Sequence, residues 1–171
     1  PSADHIEVEL ADGTHLRAQL VVGADGRNSI CREAAGIELR SASYPQVALT
    51  YNVAHGRPHR DISTEFHTEH GPFTLVPLPG ERSSIVCVID AGEAERMREL
   101  SGDALNLELE RRSHPILGKI AVEPGSGAFP LCAETAQSLA AGRIALIGEA
   151  AHRFPPIGAQ GLNLGLRDAA A

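Results

Sequence analysis

The sequence predicts a chain of mixed class, α+β with an α/β portion: a central antiparallel sheet with helices, flanked by two parts of a Rossmann-like domain. Three observations predict this class. Alternating apolar and polar residues surround an Asp-Gly pair near the start, and the middle contains short apolar runs about ten residues apart. The end contains an apolar run, a turn rich in proline and glycine, and a helical pattern.

Composition narrows the class of protein. The chain has 171 residues, 43% of them hydrophobic and 22% charged, as in an ordinary globular protein of one domain or two small ones. The net charge of −7 argues against a nucleic-acid partner. The three cysteines have no C-x-x-C spacing, and no apolar run approaches the roughly 20 residues that a membrane span needs. We therefore expect a reduced, cytoplasmic protein.

The first segment predicts a hairpin and a short helix. His5–Leu10 alternates with period two and precedes an Asp-Gly pair, which is a hairpin signal. The returning strand is expected over His15–Gly23, with Leu20–Val22 as a buried apolar run. Ser29 is the expected N-cap of a short helix, and Gly36 is expected to lie just beyond its last turn.

The middle of the chain predicts the antiparallel sheet and two helices. Clusters of proline and glycine separate the predicted strands. These strands are Gln46–Val53, Ser63–Thr68, Phe73–Val76 and Ser84–Ile89. The helices are Glu93–Leu100 and Asp103–Arg112, with an apolar stripe formed by Leu105, Leu107, Leu109 and Ile116.

The end of the chain predicts a strand, a rigid loop and a helix in series. Gly125–Leu131 is expected to form a crossing strand, Ala140–Gly142 a turn, and Arg143–Ile147 a strand. Two prolines and two glycines follow, and a helical pattern opens near Gly161. This arrangement directs unpaired backbone N–H groups toward an electron-rich group, so we interpret the loop as a cofactor site.

Two motifs in this order resemble those of a known family. In the first, Asp25 and Gly26 are followed by Ser29 and Arg32. The residues that match the second are Gly148, Ala150, Ala151, His152, Pro156, Gly161 and Asn163. Together the motifs resemble the flavoprotein aromatic hydroxylases of the p-hydroxybenzoate hydroxylase fold, most closely their ubiquinone-biosynthesis branch. The chain departs from that pattern at Glu149, where the family usually has Asp, and at Ala159, where the branch usually has Gly.

The resemblance implies a division into domains. Residues 1–40, with the hairpin and the Asp-Gly motif, and residues 127–171, with the second motif and its helix, would be parts of an FAD-binding domain. Residues 41–126 would form the substrate-binding domain, whose sheet makes one wall over the flavin ring. The sequence contains no G-x-G-x-x-G, the motif that cradles the FAD pyrophosphate in this family. We therefore expect an internal fragment of a longer enzyme.

The resemblance also implies a set of cofactor-binding residues. These are Asp25, Glu149, Pro156, Gly158, Gly161, Leu162 and Asn163. Glu149 would accept a hydrogen bond from a ribityl hydroxyl, and the residues that open the helix would present N–H groups to the negative charge of reduced flavin. The alternatives are a surface carboxylate at Glu149, a close-packed helix entrance, and an ordinary turn at Asp25.

No side chain is assigned a catalytic role, and no metal site is expected. His152 could act as an acid or base, but structural hydrogen bonding is the interpretation we favour. Arg32 could pair with Asp25 or with a phosphate. His67 and His70 are three residues apart on a predicted strand, so they point to opposite faces and make poor co-ligands.

The implied activity is that of an FAD-dependent monooxygenase that hydroxylates an aromatic ring with NAD(P)H and O₂, in ubiquinone biosynthesis. A salicylate-type hydroxylase and a flavin-dependent prenyl reductase are the alternatives within the superfamily. A different class is a catalytically inactive module for substrate binding or subunit contact, since the chain without a pyrophosphate motif should bind FAD weakly. The implied partner is an aromatic or quinone-precursor substrate. Peripheral association with the inner membrane and homo-oligomerisation stay open.

Overall fold

The computed structural model describes residues 4–156 and 158–171. The strands are β1 (Ile6–Glu9), β2 (His15–Ala18), β3 (Val21–Gly23), β4 (Leu39–His55), β5 (Thr64–His67), β6 (Pro72–Leu78), β7 (Arg82–Asp90), β8 (Ile120–Val122), β9 (Gly127–Ala136), β10 (Ala140–Ala141), β11 (Ile144–Leu146) and β12 (His152–Arg153). The helices are α1 (Ile30–Ala34), α2 (Ala91–Glu99), α3 (Gly102–Arg112) and α4 (Gly161–Ala170), with a 3₁₀ turn at Gly148–Ala150. The mixed class expected from the sequence is confirmed.

The chain divides into two compact units. The first consists of the residues up to Ser43 together with Cys132–Ala171, and the second is Tyr44–Leu131. Both borders fall inside long strands, β4 and β9. The borders expected from the sequence, after residues 40 and 126, therefore lie a few residues N-terminal to those of the structure. A strand that continues through a border gives no sequence signal there.

An antiparallel sheet forms the second unit. Its strand order is β9-β4-β7-β6-β5, and β8 pairs with the C-terminal end of β4. The register of β4 on β7 runs from Gln46 opposite Asp90 to Ala54 opposite Arg82. The four strands predicted in this region are all present. Three differ from the prediction by one or two residues at an end, whereas β4, predicted from Gln46, already begins at Leu39.

One face of this sheet packs against α2 and α3 to form the core of the second unit. Because side chains alternate across a strand, every second residue of β4, β6 and β7 enters this core. The buried members are Leu49, Tyr51, Val53, Phe73, Leu75, Ile85, Cys87, Ile89, Ala94, Met97, Leu109, Leu117 and Ile120. Burial raises the pKa of the Cys87 thiol to about 11, so this thiol is a packing group.

The apolar stripe predicted for α3 is wrong at two of its four positions. Leu109 is 0% exposed and Leu105 packs against the same core, four residues earlier on one helical face. Leu107 is 64% exposed and Ile116 is 42% exposed. In an α-helix, side chains two positions apart point in directions more than half a turn apart. Leu107 therefore cannot share the face of Leu105 and Leu109.

An ion-pair network joins α2 to α3. The guanidinium of Arg112 donates to Glu93 and Glu108, with Nε 2.7 Å from Oε1 of Glu108. Hydrogen bonds from Arg111 and then Arg112 outweigh desolvation and lower the pKa of Glu108 to about 2. The network therefore holds the two helices together while Glu108 is ionised.

The first unit contains two small sheets. β1 and β2 form the predicted hairpin, with Ile6 opposite Ala18 and Glu9 opposite His15. β10, β11 and β3 form a three-stranded sheet in which β3 is parallel to β11. Ala140 and Ala141, expected in a turn, instead form β10, since β10 and β11 together make a tight antiparallel pair.

The prediction that the apolar run Leu20–Val22 of the returning strand is buried is also wrong. The strand breaks after Ala18, and Leu20 and Val22 are 57% and 51% exposed. Gly23 instead faces inward, against Cys31 and Leu146. Alternation then directs Val22 to the opposite face of the three-residue strand. Within the described ranges, no helix combines the length and apolar character that crossing a membrane requires.

Replacing Leu109 by Ala should lower the free energy of unfolding by about 2–5 kcal/mol, because a fully buried leucine leaves a cavity when it is truncated. The matched control is Leu107→Ala on the same helix, which should change stability by less than about 0.5 kcal/mol because Leu107 is exposed. Denaturant unfolding of both variants measures the difference. Equal losses would show that α3 packs on a different face.

Replacing Glu108 by Gln should make the free energy of unfolding depend less on pH in acid. The pKa of Glu108 lies below its ordinary 4.5 in the folded state, so its contribution is complete above that value and is lost as pH falls toward about 2. Urea unfolding at a series of pH values measures this effect. Across that pH range, the free energy of unfolding should fall more steeply for the wild-type protein than for the variant. Glu95→Gln, at a carboxylate whose side chain is 72% exposed, should leave the curve unchanged.

Candidate functional site

The parallel pairing of β3 with β11 brings the two sequence motifs together. Val21 lies opposite Ile144 and Gly23 opposite Leu146, and the N–H of Ile147 donates to the carbonyl of Gly23 at 3.0 Å. Each motif begins just beyond the carboxyl end of its strand. In α/β sheets, ligands bind at the carboxyl ends of parallel strands.

Asp25 caps the start of α1. Its carboxylate accepts from the Ser29 hydroxyl at 2.6 Å and from the N–H of Cys31 at 3.1 Å. Partial desolvation, which raises the pKa of Asp25, is outweighed by these hydrogen bonds, and the pKa lies below its ordinary value. Ser29 itself accepts from the N–H of Arg32 at 2.9 Å, so the predicted N-cap is confirmed. Asp25 thus has a structural role, and its contact with FAD stays a prediction.

Arg32 ties the first motif to the second. Its guanidinium donates from Nη1 to the carbonyl of Ala150 at 3.0 Å and from Nη2 to the carbonyl of Arg27 at 2.9 Å. The sequence offered Asp25 or a phosphate as its partner. In the part of the chain that the structure describes, Arg32 makes no ion pair with Asp25 and instead binds main-chain oxygens of both motifs.

Asp168 fixes the turn after β11 against α4. Its Oδ2 accepts from the N–H of Gly148 at 2.9 Å and lies 2.7 Å from Nε2 of His152. The hydrogen bond from Gly148, followed by that from His152, outweighs desolvation, and the pKa of Asp168 lies below its ordinary value. Gly148 has φ +59°, a left-handed conformation that favours glycine, whereas a Cβ built there would meet Cα of Gly165 in α4 at 3.9 Å, an ordinary contact.

Sequence reasoning missed Asp168, although a signal was present. A carboxylate in the last turn of a helix faces the negative end of the helix dipole, which is unfavourable by a few tenths of a kcal/mol up to about 1 kcal/mol. Asp168 lies in that turn of α4. An acidic residue at such a place indicates a compensating partner, and here Gly148 and His152 supply it.

His152 has a hydrogen-bonding role in the structure. Besides its contact with Asp168, its ring lies 5.2 Å from that of Phe154, between ring centroids. His152 precedes Arg153 on β12, so the two side chains point to opposite faces. This geometry makes His152 a residue that positions α4.

The loop before α4 adopts an unusual backbone and leaves the helix start open. Gly158 and Ala159 both have positive φ, +65° and +50°. Gln160 occupies the N-cap but does not cap the main-chain N–H groups of the helix with its side chain, whose Oε1 instead accepts from Nδ2 of Asn163 at 3.3 Å. The first N–H groups of α4, from Gly161 onward, therefore lack a side-chain cap. Pro156 is exposed, and Ile157, between Pro156 and Gly158, lies outside the described residues.

The geometry of this segment fits an FAD cofactor. A Cβ built at Gly161 has no neighbour within 4 Å among residues 4–156 and 158–171, so the described part of the chain leaves space beside the uncapped helix end. Glu149 is exposed in the 3₁₀ turn, and within residues 4–156 and 158–171 its carboxylate has no hydrogen bond or ion pair. The uncapped N–H groups of α4 suit a flavin ring, which carries negative charge when it is reduced. The unpaired carboxylate of Glu149 suits the hydroxyl groups of the ribityl chain.

The seven predicted cofactor residues therefore fall into two groups. Glu149, Pro156, Gly158, Gly161, Leu162 and Asn163 lie on the turn, loop and helix that follow β11. Asp25 follows the neighbouring strand β3. Of these residues, Asp25 is occupied by protein hydrogen bonds, whereas Leu162 is 75% exposed at the open helix end.

The histidines that cluster in sequence have protein partners of their own. Nε2 of His67 lies 3.2 Å from Glu65, and Nε2 of His70 lies 3.3 Å from Glu69. Within the described ranges, no three His, Cys, Asp or Glu side chains form a group that could hold a metal ion.

Comparisons with known proteins agree with the geometry. The model of a family described as FAD binding domain matches residues 3–171. The ubiquinone hydroxylase UbiL of Rhodospirillum rubrum is 40% identical over 98% of this chain and 39% of its own length. The 3-demethoxyubiquinol 3-hydroxylase of Escherichia coli is 33% identical over 95% of this chain and 41% of its own length. The chain thus spans well under half of these relatives.

Solved structures share the fold. PqsL of Pseudomonas aeruginosa, in complex with 2-aminobenzoylacetate, is 26% identical with a TM-score of 0.71, over 96% of this chain and 47% of PqsL. Aklavinone-11 hydroxylase in complex with FAD and aklavinone has a TM-score of 0.69 at 22% identity, over 97% of this chain and 32% of its own, and shows the fold alone.

Replacing Asp168 by Asn should loosen the turn after β11, because a neutral amide cannot hold Gly148 and His152 as strongly as a carboxylate does. Amide hydrogen exchange at Gly148 should accelerate about tenfold. The wild-type rate should approach that of the variant as pH falls below 3.8, the ordinary carboxyl pKa. Asp103→Asn, at an exposed position in the first turn of α3, should not change the exchange at Gly148.

Proposed function

The chain belongs to the FAD binding domain family, and we propose that the protein that carries it is an FAD-dependent monooxygenase. The proposed reaction hydroxylates an aromatic ring with NAD(P)H and O₂, in ubiquinone biosynthesis. The names of the relatives from Rhodospirillum rubrum and Escherichia coli support that substrate class.

The observation that carries the proposal is the open start of α4 beside the turn after β11. Its N–H groups, from Gly161 onward, lack a side-chain cap and would stabilise negative charge on the pyrimidine edge of a reduced flavin. Glu149 would accept a hydrogen bond from a ribityl hydroxyl. Asp168 and His152 would hold both parts in place without contacting the cofactor.

The protein groups in this proposal bind and orient, and they do little covalent chemistry. When bound, FAD supplies the redox chemistry that takes electrons from NAD(P)H and uses O₂. The residues of the loop contribute preorganised dipoles, and the positive φ of Gly158 and Ala159 fixes the direction of the helix start. Each non-glycine residue in this conformation costs about 1–2 kcal/mol, which is consistent with a geometry that serves binding.

The second unit is the proposed substrate-binding part. Among the side chains that alternate with the core residues of its sheet, Thr50 lies opposite Val86 and Asn52 opposite Ser84, and Val86 packs against the buried cluster of Ala48, Val88 and Leu131. The four paired residues are half-buried on the sheet face away from α2 and α3. A surface of short side chains suits a flat ring, with hydroxyl and amide groups available to orient it.

The proposal is tested on the protein that carries this chain, loaded with FAD. NAD(P)H oxidation should rise when a polyprenylated phenol is added, and mass spectrometry should find a product with one added oxygen atom. A salicylate-type hydroxylase would respond to salicylate instead, and a prenyl reductase would add hydrogen to the prenyl chain. Either result would replace the proposed reaction. Absence of bound flavin would remove the monooxygenase assignment altogether.

Replacing Gly161 by Val should weaken FAD binding at least tenfold and leave the fold intact. A Cβ built at Gly161 meets no atom of the described residues within 4 Å, so stability should change by less than about 1 kcal/mol. The valine side chain would occupy the space in front of the uncapped N–H groups. Leu166→Ala, on the exposed face of the same helix, is the control and should leave flavin affinity unchanged. Unchanged flavin affinity in Gly161→Val would contradict the proposed site.

A further inference from the structure

The second unit contains a small pocket of about 170 Å³ beside its core, on the sheet face that packs against α2 and α3. Its walls are mainly apolar. Leu75 and Leu117 are buried members of the core, Ile62 and Ile116 are exposed, and Pro58 completes the apolar part. An apolar cavity of about 150 Å³ holds one benzene ring. The size and the walls of this pocket therefore fit a single six-membered ring.

The hydroxyl of Ser83 gives the pocket a buried polar group. Ser83 is 1% exposed, and it faces the core because it lies two residues before Ile85 on β7. Among the described residues, this hydroxyl has one hydrogen-bond partner, Nε2 of His55 at 3.0 Å. A hydroxyl has one donor hydrogen and two acceptor lone pairs, so either tautomer of His55 leaves capacity at Ser83 unused. Thr64 adds a second hydroxyl to the lining.

The imidazole that binds Ser83 is itself only half satisfied. The side chain of His55 is 0% exposed, and its Nδ1 has no hydrogen-bond partner among the described residues. Oε2 of Glu81 is 3.9 Å from Nδ1, which is too far for a hydrogen bond. Two apolar side chains at these places would avoid the cost of burying unsatisfied polar atoms. The buried pair of His55 and Ser83 therefore indicates a role other than packing.

His59 forms a rigid wall of the pocket. Its Nε2 contacts the carbonyls of Leu78 and Gly80 at 3.0 and 2.9 Å, and its Nδ1 accepts from the N–H of Asp61 at 3.0 Å. Carbonyl oxygens only accept, so Nε2 carries the proton and both ring nitrogens are occupied. Arg60 and Asp61 have positive φ, +54° and +57°, a conformation that residues other than glycine rarely adopt. The contacts of His59 therefore fix the shape of this side of the pocket.

We propose that this pocket binds a phenol of one ring. The ring would contact Leu75 and Leu117, and its hydroxyl would form a hydrogen bond with Ser83. A phenol hydroxyl both donates and accepts, so it matches Ser83 in either tautomer of the histidine. A carboxylate fits less well, because it would lose its hydration against apolar walls, and Arg60, the cation of the lining, is exposed.

This site is separate from the proposed substrate surface. Ser83 and Ser84 are neighbours on β7, so their side chains point to opposite faces of the sheet. Ser84 belongs to the surface proposed for the substrate, whereas Ser83 belongs to the face that packs against α2 and α3. A phenol bound beside Ser83 would leave the substrate surface free, so the inference does not rest on the proposed function.

The test uses fluorine NMR of 4-fluorophenol with the full protein that carries this chain. Binding should be saturable. Ile116→Trp should weaken it by about tenfold or more, because the indole would fill the pocket from an exposed position of its lining. The matched control is Leu107→Trp, at an exposed position of α3 outside the lining, which should bind like the wild type.

A second variant tests the hydrogen bond. Ser83→Ala should weaken 4-fluorophenol about tenfold and should change the affinity for fluorobenzene, which lacks the hydroxyl, by less than about twofold. Fluorobenzene probes the same walls, so the comparison separates the hydrogen bond from a change in shape or folding.

Three outcomes overturn the proposal. They are the absence of saturable binding to the wild type, equal affinities of Ile116→Trp and Leu107→Trp, and equal losses of both ligands in Ser83→Ala. NAD(P)H oxidation and hydroxylation do not enter these measurements, so failure here is distinct from failure of the proposed monooxygenase.

Discussion

The parallel pairing of β3 with β11 is the constraint on which the first unit depends. Only three residue pairs form it, from Val21 opposite Ile144 to Gly23 opposite Leu146. Parallel strands need a crossover connection, and here the connection contains the whole of the second unit. Arg32 then reinforces the pairing through main-chain oxygens of both motifs. Two short motifs far apart in sequence therefore share one edge.

The carboxylate of Asp168 extends this constraint to the helix. It joins the turn at Gly148 to the last part of α4 and, through His152, to β12. The other end of α4 has no side-chain cap, so its first N–H groups stay available. In the proposed site, stability and binding thus fall at opposite ends of one helix of ten residues.

The sequence predicted the elements well wherever periodicity was strong, and predicted the side-chain environment less well. The strands of the second unit and both of its helices are confirmed, because alternation and turn residues define them locally. Leu20 and Leu107 were expected to be buried and are exposed, since burial depends on which neighbours the fold supplies. The contact of Arg32 with Ala150 joins residues far apart in sequence, and a local pattern carries no record of such a contact.

The arginines show why charge must be analysed in three dimensions. Along the sequence, Arg32, Arg112 and Arg153 look alike, and each lies within reach of acidic neighbours in number. In the fold, Arg112 is neutralised by two carboxylates and binds one helix to another. Among the described residues, Arg32 donates to carbonyl oxygens, and Arg153 has a buried Nε without a hydrogen-bond acceptor despite its ion pair. Two carboxylates neutralise the guanidinium of Arg112, which stabilises the contact between α2 and α3. Arg32 satisfies its hydrogen bonds on carbonyl oxygens and keeps its charge.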